Sequence, residues 1–250
     1  MANEPLMPEA SASRRFSPLR TLWQHRIDPK TYLGLHLTIT LVIAAASIWL
    51  FATLLDGILD NAILVRWDIA VDAAIHTRMT ALDLSVVNLV TQLGSPPAMG
   101  VLLVGGAIWL WRAKRHTMVM GWVAAFVGGV AINQALKMAV HRTRPAYGAA
   151  YLHGPSFSFP SGHAMGSLIG YGMAGYILQF VWRGSPRAHH SVNALLFVMI
   201  VAVGLSRVLL GVHYPSDVVG GWAAGGAWMS VCVVGIGVAE QRRIDRARAT

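Results

Sequence analysis

Three short clusters hold the residues able to do chemistry. The first runs from Lys137 through His141, Arg142 and Arg144 to Pro145; the second is Pro160-Ser161-Gly162-His163; the third joins Ser206 and Arg207 to His213 and Asp217. Lys137, Arg144 and Arg207 are cations able to hold an oxyanion, and the planar guanidinium fork matches phosphate two bonds at a time. A helix beginning near Ser161 adds backbone N–H groups and the positive end of its dipole. Of the two histidines in such a pocket, one neutral imidazole can attack phosphorus while the other protonates the departing oxygen. Asp217 is spaced to take the remaining N–H of His213, fixing its tautomer and stabilising the cation that forms. The chemistry these types suit is phosphoryl transfer. A single acid among so many cations would repel a divalent ion, so neither a metal nor another cofactor is expected. Adding His141 and His153 as ligands produces a spacing that matches no familiar zinc pattern.

Each cluster alone has a duller explanation. Lys137 and Arg144 suit snorkelling helix ends, Pro160 and Ser161 suit a helix start, and His213 with Asp217 suits a local hydrogen bond. What gives them weight is the element pattern that collects them. Apolar residues make up 55% of the 250-residue chain and charged residues 12%, against about 25% charged in soluble domains. That excludes a water-soluble globule and a disordered chain, and the one cysteine, Cys232, excludes a disulfide scaffold and reads as an inert buried thiol. The net charge of +9 does not indicate nucleic acid, because the basic residues fall in short bursts between long apolar runs.

Those runs predict an all-α polytopic membrane protein, with six transmembrane helices forming a bundle. Tyr32 to Leu55 is the first span, a helix of about 36 Å that stays as an anchor and is not cleaved as a signal peptide. The second contains Ala98 to Trp111; its helix either begins near Leu84 and kinks at Pro96 and Pro97, or follows a separate surface helix from Leu82 to Leu93. The remaining runs are Thr117 to about Lys137, Ala164 to Trp182, Val192 to Leu210 and Val218 to Ala239. Between Asp56 and Asp83, acids alternate with Ile63, Trp67, Ala70 and Ala74, which predicts a short helix at the membrane interface. No internal repeat is visible. The expected organisation is a tail over 1–31, a six-span domain over 32–239 with its motifs in 137–217, and a tail over 240–250.

Orientation follows from the loops. Six spans put both termini on one side with fourteen of the twenty Lys and Arg residues, in the groups Arg14 to Lys30, Arg112 to Arg115, Arg183 to Arg187 and Arg242 to Arg248. That side is expected to be cytoplasmic. Alternation then brings the three clusters together at the opposite face. There Lys137, Arg142, Arg144 and Arg207 run against the topology rule, and polar groups at membrane depth mark function by default. Tyr147, Tyr151, Phe157 and Phe159 are expected in the interfacial aromatic belt, with the edge of a substrate entrance as the alternative.

The clusters resemble the signature of the type 2 phosphatidic acid phosphatase family, whose superfamily includes vanadium haloperoxidases. The likeness lies in a lysine separated by six residues from Arg-Pro (Lys137, Arg144, Pro145), in Pro160 to His163, and in Ser206-Arg207 with His213 and Asp217. The resemblance implies that His213 is the nucleophile, forming a phosphohistidine with Asp217 as its partner. It implies His163 as general acid, and Lys137, Arg144, Ser161, Gly162 and Arg207 as phosphate-binding. His141 and Arg142 fall outside the pattern and have no expected role beyond local positive potential. The expected function is metal-independent hydrolysis of a lipid phosphomonoester or diphosphate, such as undecaprenyl diphosphate, phosphatidic acid or phosphatidylglycerol phosphate. The site is expected at the periplasmic or extracellular face of a cell (inner) membrane, with membrane lipids as surroundings, no nucleic acid, and an oligomeric state the sequence leaves open. A lipid-phosphate flippase that does not hydrolyse, and a vanadate-dependent haloperoxidase, are the alternatives.

Overall fold

The computed structural model describes residues 29–60, 63–148, 156–182 and 184–249. The expectations for Arg14, Arg15, Arg20, Arg26, Tyr151, His153 and Arg183 concern residues outside these. The chain divides into two units, 1–39 and 40–250; the first is represented only by the opening turns of one helix, and the second carries everything else described below.

Among the described residues every regular element is helical: α1 (Pro29–Leu59), α2 (Ile63–His76), α3 (Ala81–Thr91), a 3-10 turn (Gln92–Gly94), α4 (Pro96–Arg112), α5 (His116–Val140), α6 (Gly162–Val181), α7 (Pro186–Leu209) and α8 (Pro215–Ala249). Among the described residues six segments are long and apolar enough to cross a bilayer, one of them running from Asp83 to Arg112 through α3, the turn and α4. Helices suit hydrocarbon because all their backbone hydrogen bonds close internally. The second span therefore starts near Leu84, as one alternative had it, and it is broken just before the prolines. Thr80 and Asp83 form a reciprocal capping box that starts α3, while Ser95 caps α4 with Pro96 in its first turn. Residues 240–249, expected as a tail, continue α8 without a break.

The bundle is built around α6, which packs on α5, α7 and α8. Met165, Ile169, Met173 and Ile177 line its buried face, against Trp122, Phe126 and Cys232. Small residues let the helices approach, as expected where lipid supplies no hydrophobic drive between them. At Gly221 of α8, for example, a Cβ would lie 2.6 Å from the carbonyl oxygen of Ser161. From Thr40 onward α1 presents Leu41, Val42, Ile48 and Trp49 outward, an apolar surface suited to lipid, and touches the bundle through Phe51, whose ring lies 5.4 Å from that of Phe159.

Helix α2 is the amphipathic element expected between the first two spans. Ile63, Trp67 and Ile69 are exposed, yet Asp68 and Asp72 are buried. Its acids are thus buried, Asp68 against Arg142 and Ser216 and Asp72 beside His76 of the same helix, and its exposed apolar residues face out. An interface helix turns its greasy side to lipid only if the protein can satisfy its charges.

Candidate active site

The three clusters meet at one end of the bundle. Lys137 lies one turn from the end of α5, buried, with Nζ donating to the carbonyl of Phe157 at 2.6 Å. His141 then closes α5 in the left-handed conformation, φ 53°, and reverses the chain so that Arg142 and Arg144 reach back over the helix end. Arg144 is held by Ser156, donating from Nε to its carbonyl and from Nη2 to its hydroxyl, both at 2.9 Å. Its Nη1 donates to the carbonyl of Val212 at 2.7 Å and to Nε2 of His213 at 3.1 Å.

Ser161 stands at the N-cap position of α6, but its side chain makes no capping bond. Its backbone N–H donates to the carbonyl of Asp217 at 2.9 Å, tying α6 to the start of α8. The hydroxyl is buried and has no hydrogen-bond partner among the described residues. The α6 N–H groups that follow have no intrahelical acceptor. Gly162 lets α6 start close against α5, since a Cβ there would meet Oδ1 of Asn133 at 3.1 Å. His163, in the first turn, lies within electrostatic reach of Arg207, His213, Arg144 and Lys137.

Arg207 is buried near the end of α7, where Nη1 donates to Thr91 Oγ1 at 2.8 Å. Its Nε has no partner among the described residues, so this side of the guanidinium, like the Ser161 hydroxyl, is a buried donor in want of an acceptor. Past α7 the chain turns at Gly211, φ 63°, a conformation that glycine adopts without steric cost. The turn brings the N–H groups of Val212 and His213 back onto the carbonyl of Arg207, at 3.2 and 3.3 Å.

His213 is enclosed. Its Nδ1 lies 3.5 Å from Oδ2 of Asp217 and 3.4 Å from the hydroxyl of Ser158. Burial pushes its imidazole down to about 3, against the pull of the Asp217 carboxylate, so the ring is neutral at ordinary pH. Burial also lowers the pKa of Arg144, with Asp217 opposing. Among the described residues no three His, Cys, Asp or Glu side chains gather as a metal centre would require.

Every site residue inferred from the sequence is thus placed at this end of the bundle. Several neighbours were not anticipated. Arg142, expected only to raise local potential, is a structural ion-pair partner: Nη1 donates to Asp217 Oδ1 at 2.6 Å and to Ser216 Oγ at 2.7 Å, and Nη2 donates to Asp68 Oδ2 at 2.8 Å. Burial works against its cation, but Asp217 and Asp68 more than offset this and raise its pKa. Ser158 donates to Asp217 Oδ2, and Thr91 seats Arg207. The one trace these left in the sequence was Asp68 and Asp72, acids four apart in a helix whose other polar residues are Arg66 and His76, which places both acids on one face. Phe159, expected in the aromatic belt, is fully buried, whereas Tyr147 is exposed and stacked on His76.

A helical bundle with a cationic cup around an imidazole–carboxylate pair defines a polytopic membrane enzyme of phosphoryl transfer. The profile of the PAP2 superfamily matches residues 117–238. Phosphatidylglycerophosphatase B of Bacillus subtilis is 30% identical over 182 residues, covering 72% of this chain and 88% of that protein. Decaprenylphosphoryl-5-phosphoribose phosphatase of Mycobacterium tuberculosis is 38% identical over 149 residues, 58% of this chain and 75% of its own. The crystal structure of a transmembrane PAP2-type phosphatidylglycerolphosphate phosphatase from Bacillus subtilis superposes with a TM-score of 0.67 at 27% identity, over 79% of this chain and 96% of that one. The chain belongs to the PAP2 superfamily, and it is a multi-pass membrane phosphatase, a phosphoric ester hydrolase.

Proposed function

We propose that the protein hydrolyses the phosphomonoester or diphosphate of a membrane lipid through a phosphohistidine on His213, without a metal ion. One observation carries this reading. Arginine can only donate, so its bond from Arg144 makes Nε2 of His213 an acceptor, leaving the proton on Nδ1 beside Asp217. A lone pair thereby faces the guanidinium that would bind the phosphoryl oxygens.

In the first step the Arg144 N–H passes from Nε2 to a phosphoryl oxygen, and the freed Nε2 lone pair attacks phosphorus as the bond to the lipid oxygen breaks. The departing electron pair is protonated by His163, whose imidazolium is favoured by the negative charge of the bound phosphate. Arg144, Arg207, Lys137, the Ser161 hydroxyl and the N–H groups from Gly162 onward hold the equatorial oxygens. In the second step water attacks the phosphohistidine, His163 takes its proton, and phosphate leaves. Asp217 stabilises the positive charge on the His213 ring in each.

A phosphate head held at one end of the bundle suits a substrate whose tail stays in lipid. Relatives named for phosphatidylglycerophosphate, a decaprenylphosphoryl sugar phosphate and undecaprenyl diphosphate all fit that chemistry. The loop charges support both termini in the cytoplasm and the site on the far face of a cell membrane. The deciding experiment is a phosphate-release panel of these lipids and soluble phosphate esters, with purified protein in detergent and His213→Ala as blank. Release from lipids that vanishes in the variant supports the reading. Equal release by the variant removes His213 as nucleophile, and a preference for soluble esters removes the lipid substrate.

A further inference from the structure

Both carboxylate oxygens of Asp217 are engaged. Oδ2 accepts from the Tyr214 N–H at 2.8 Å and from the Ser158 hydroxyl, and it faces His213 Nδ1. Oδ1 is left for Arg142. Arg142 is itself held from its other nitrogen by Asp68 of α2, which also accepts from the Ser216 N–H at 3.1 Å and from the Ser216 hydroxyl. Asp68 is 0% exposed. The guanidinium lies 4.5 Å above the Tyr214 ring, so its plane is set as well as its ends. A buried chain Asp68–Arg142–Asp217–His213 therefore runs from the amphipathic helix α2 to the imidazole.

Building on the phosphatase reading above, we propose that Arg142, seated by Asp68, is a positioning residue for the Asp217–His213 pair. It fixes Asp217 in the rotamer that offers Oδ2 to Nδ1, and its permanent charge keeps that carboxylate ionised without letting the imidazole be captured as imidazolium. Asp68 tempers that charge and anchors α2 to the site. An aspartate beside a histidine with no cation behind it would hold the proton between them more tightly, to the cost of a neutral nucleophile.

The test is the acid limb of the kcat/KM profile with one lipid substrate throughout, since that limb reports the free enzyme's groups. The other charged or titratable groups around the pair stay in every variant: Lys137 from α5, Arg144 beyond it, His163 on α6, Arg207 on α7, Tyr214 before α8, and Asp72 on α2. Removing the cation in Arg142→Gln lowers kcat by about 10- to 100-fold, the range for lost partners that orient catalytic ligands, with KM little changed. It also moves the acid limb upward by about 0.5 to 1 pH unit. Asp68→Asn removes a negative charge and moves the limb the opposite way. Arg142→Lys keeps the charge, holds the limb in place and restores part of kcat.

A merely structural Arg142 lowers the melting temperature and the folded yield while leaving the limb where it is, and that result overturns the proposal. So does a rise in KM at unchanged kcat. Should Arg142→Gln not fold, the Asp68→Asn profile decides by its direction, with a stationary limb counting against. Absence of phosphate release in the unmodified protein is a separate outcome that sinks the phosphatase reading.

Discussion

The guanidinium of Arg144 and the imidazole of His213, 69 positions apart in the chain, meet at 3.1 Å through Nη1 and Nε2. The pairing requires α5 to end in the left-handed turn at His141 and the chain after α7 to reverse at Gly211. In the proposed mechanism this one distance holds a phosphate-binding cation and a nucleophile for the same phosphoryl group, and several consequences can be measured.

Vanadate adopts the trigonal bipyramidal geometry of a phosphoryl group in transfer, and in the proposed mechanism Lys137, Arg144 and Arg207 hold the equatorial oxygens. It should inhibit phosphate release competitively, and Arg207→Ala should weaken that inhibition. Excess chelator should leave turnover unchanged; its loss on chelation would contradict the metal-independent mechanism.

Thr91 is the acceptor that orients Arg207. Thr91→Val keeps the volume but leaves Nη1 without its bond, a loss of about 1–3 kcal/mol for a buried charged donor. The expected result is a fall of about 5- to 100-fold in kcat/KM in the folded variant, with a lowered melting temperature, measured by phosphate release beside detergent thermal denaturation.

His213 is neutral in the folded protein because burial pushes it to about 3, below its ordinary value of 6.5. The unfolded chain thus binds a proton that the folded chain refuses in the window between those values. Stability falls as pH drops through that window, by up to about 1.4 kcal/mol per pH unit from this one group. Melting curves from pH 7 to pH 4 should fall less steeply for His213→Gln than for the unmodified protein. Parallel slopes would show that the ring is not held neutral.

Gly221 sits where α8 touches the N-terminus of α6. Gly221→Ala places a methyl group 2.6 Å from the Ser161 carbonyl and should cost about 1–3 kcal/mol by overpacking, along with activity, because the phosphate cradle is displaced. The control is Gly100→Ala, where nothing lies within 4 Å of the added carbon and stability should hold or rise. Equal effects would mean that the close approach does not matter.

How much of this was legible beforehand can be judged from particular residues. The spans were visible because hydrocarbon demands some twenty apolar residues and a closed hydrogen-bond ladder, a condition every stretch of chain declares for itself. Lys137, Arg144, His163, Arg207, His213 and Asp217 were visible because charges there break that apolar pattern, and alternating spans send all of them to one end. The break between Thr91 and Pro96 was only half visible, since glycine and prolines permit either a kink or a new start.

Arg142 and Asp68 show where local information ends. Each is one charge among several near a helix end, and nothing in spacing separates a snorkelling arginine from a buried one. Their meaning depends on a contact between chain positions 74 residues apart, and only the packing of α2 beneath the Arg142 loop creates it. Hydropathy and motif are properties of short windows, whereas the strength of an ion pair depends on which charge lies opposite and how much water remains between them. The first belongs to the order of the residues; the second exists only once the bundle has closed.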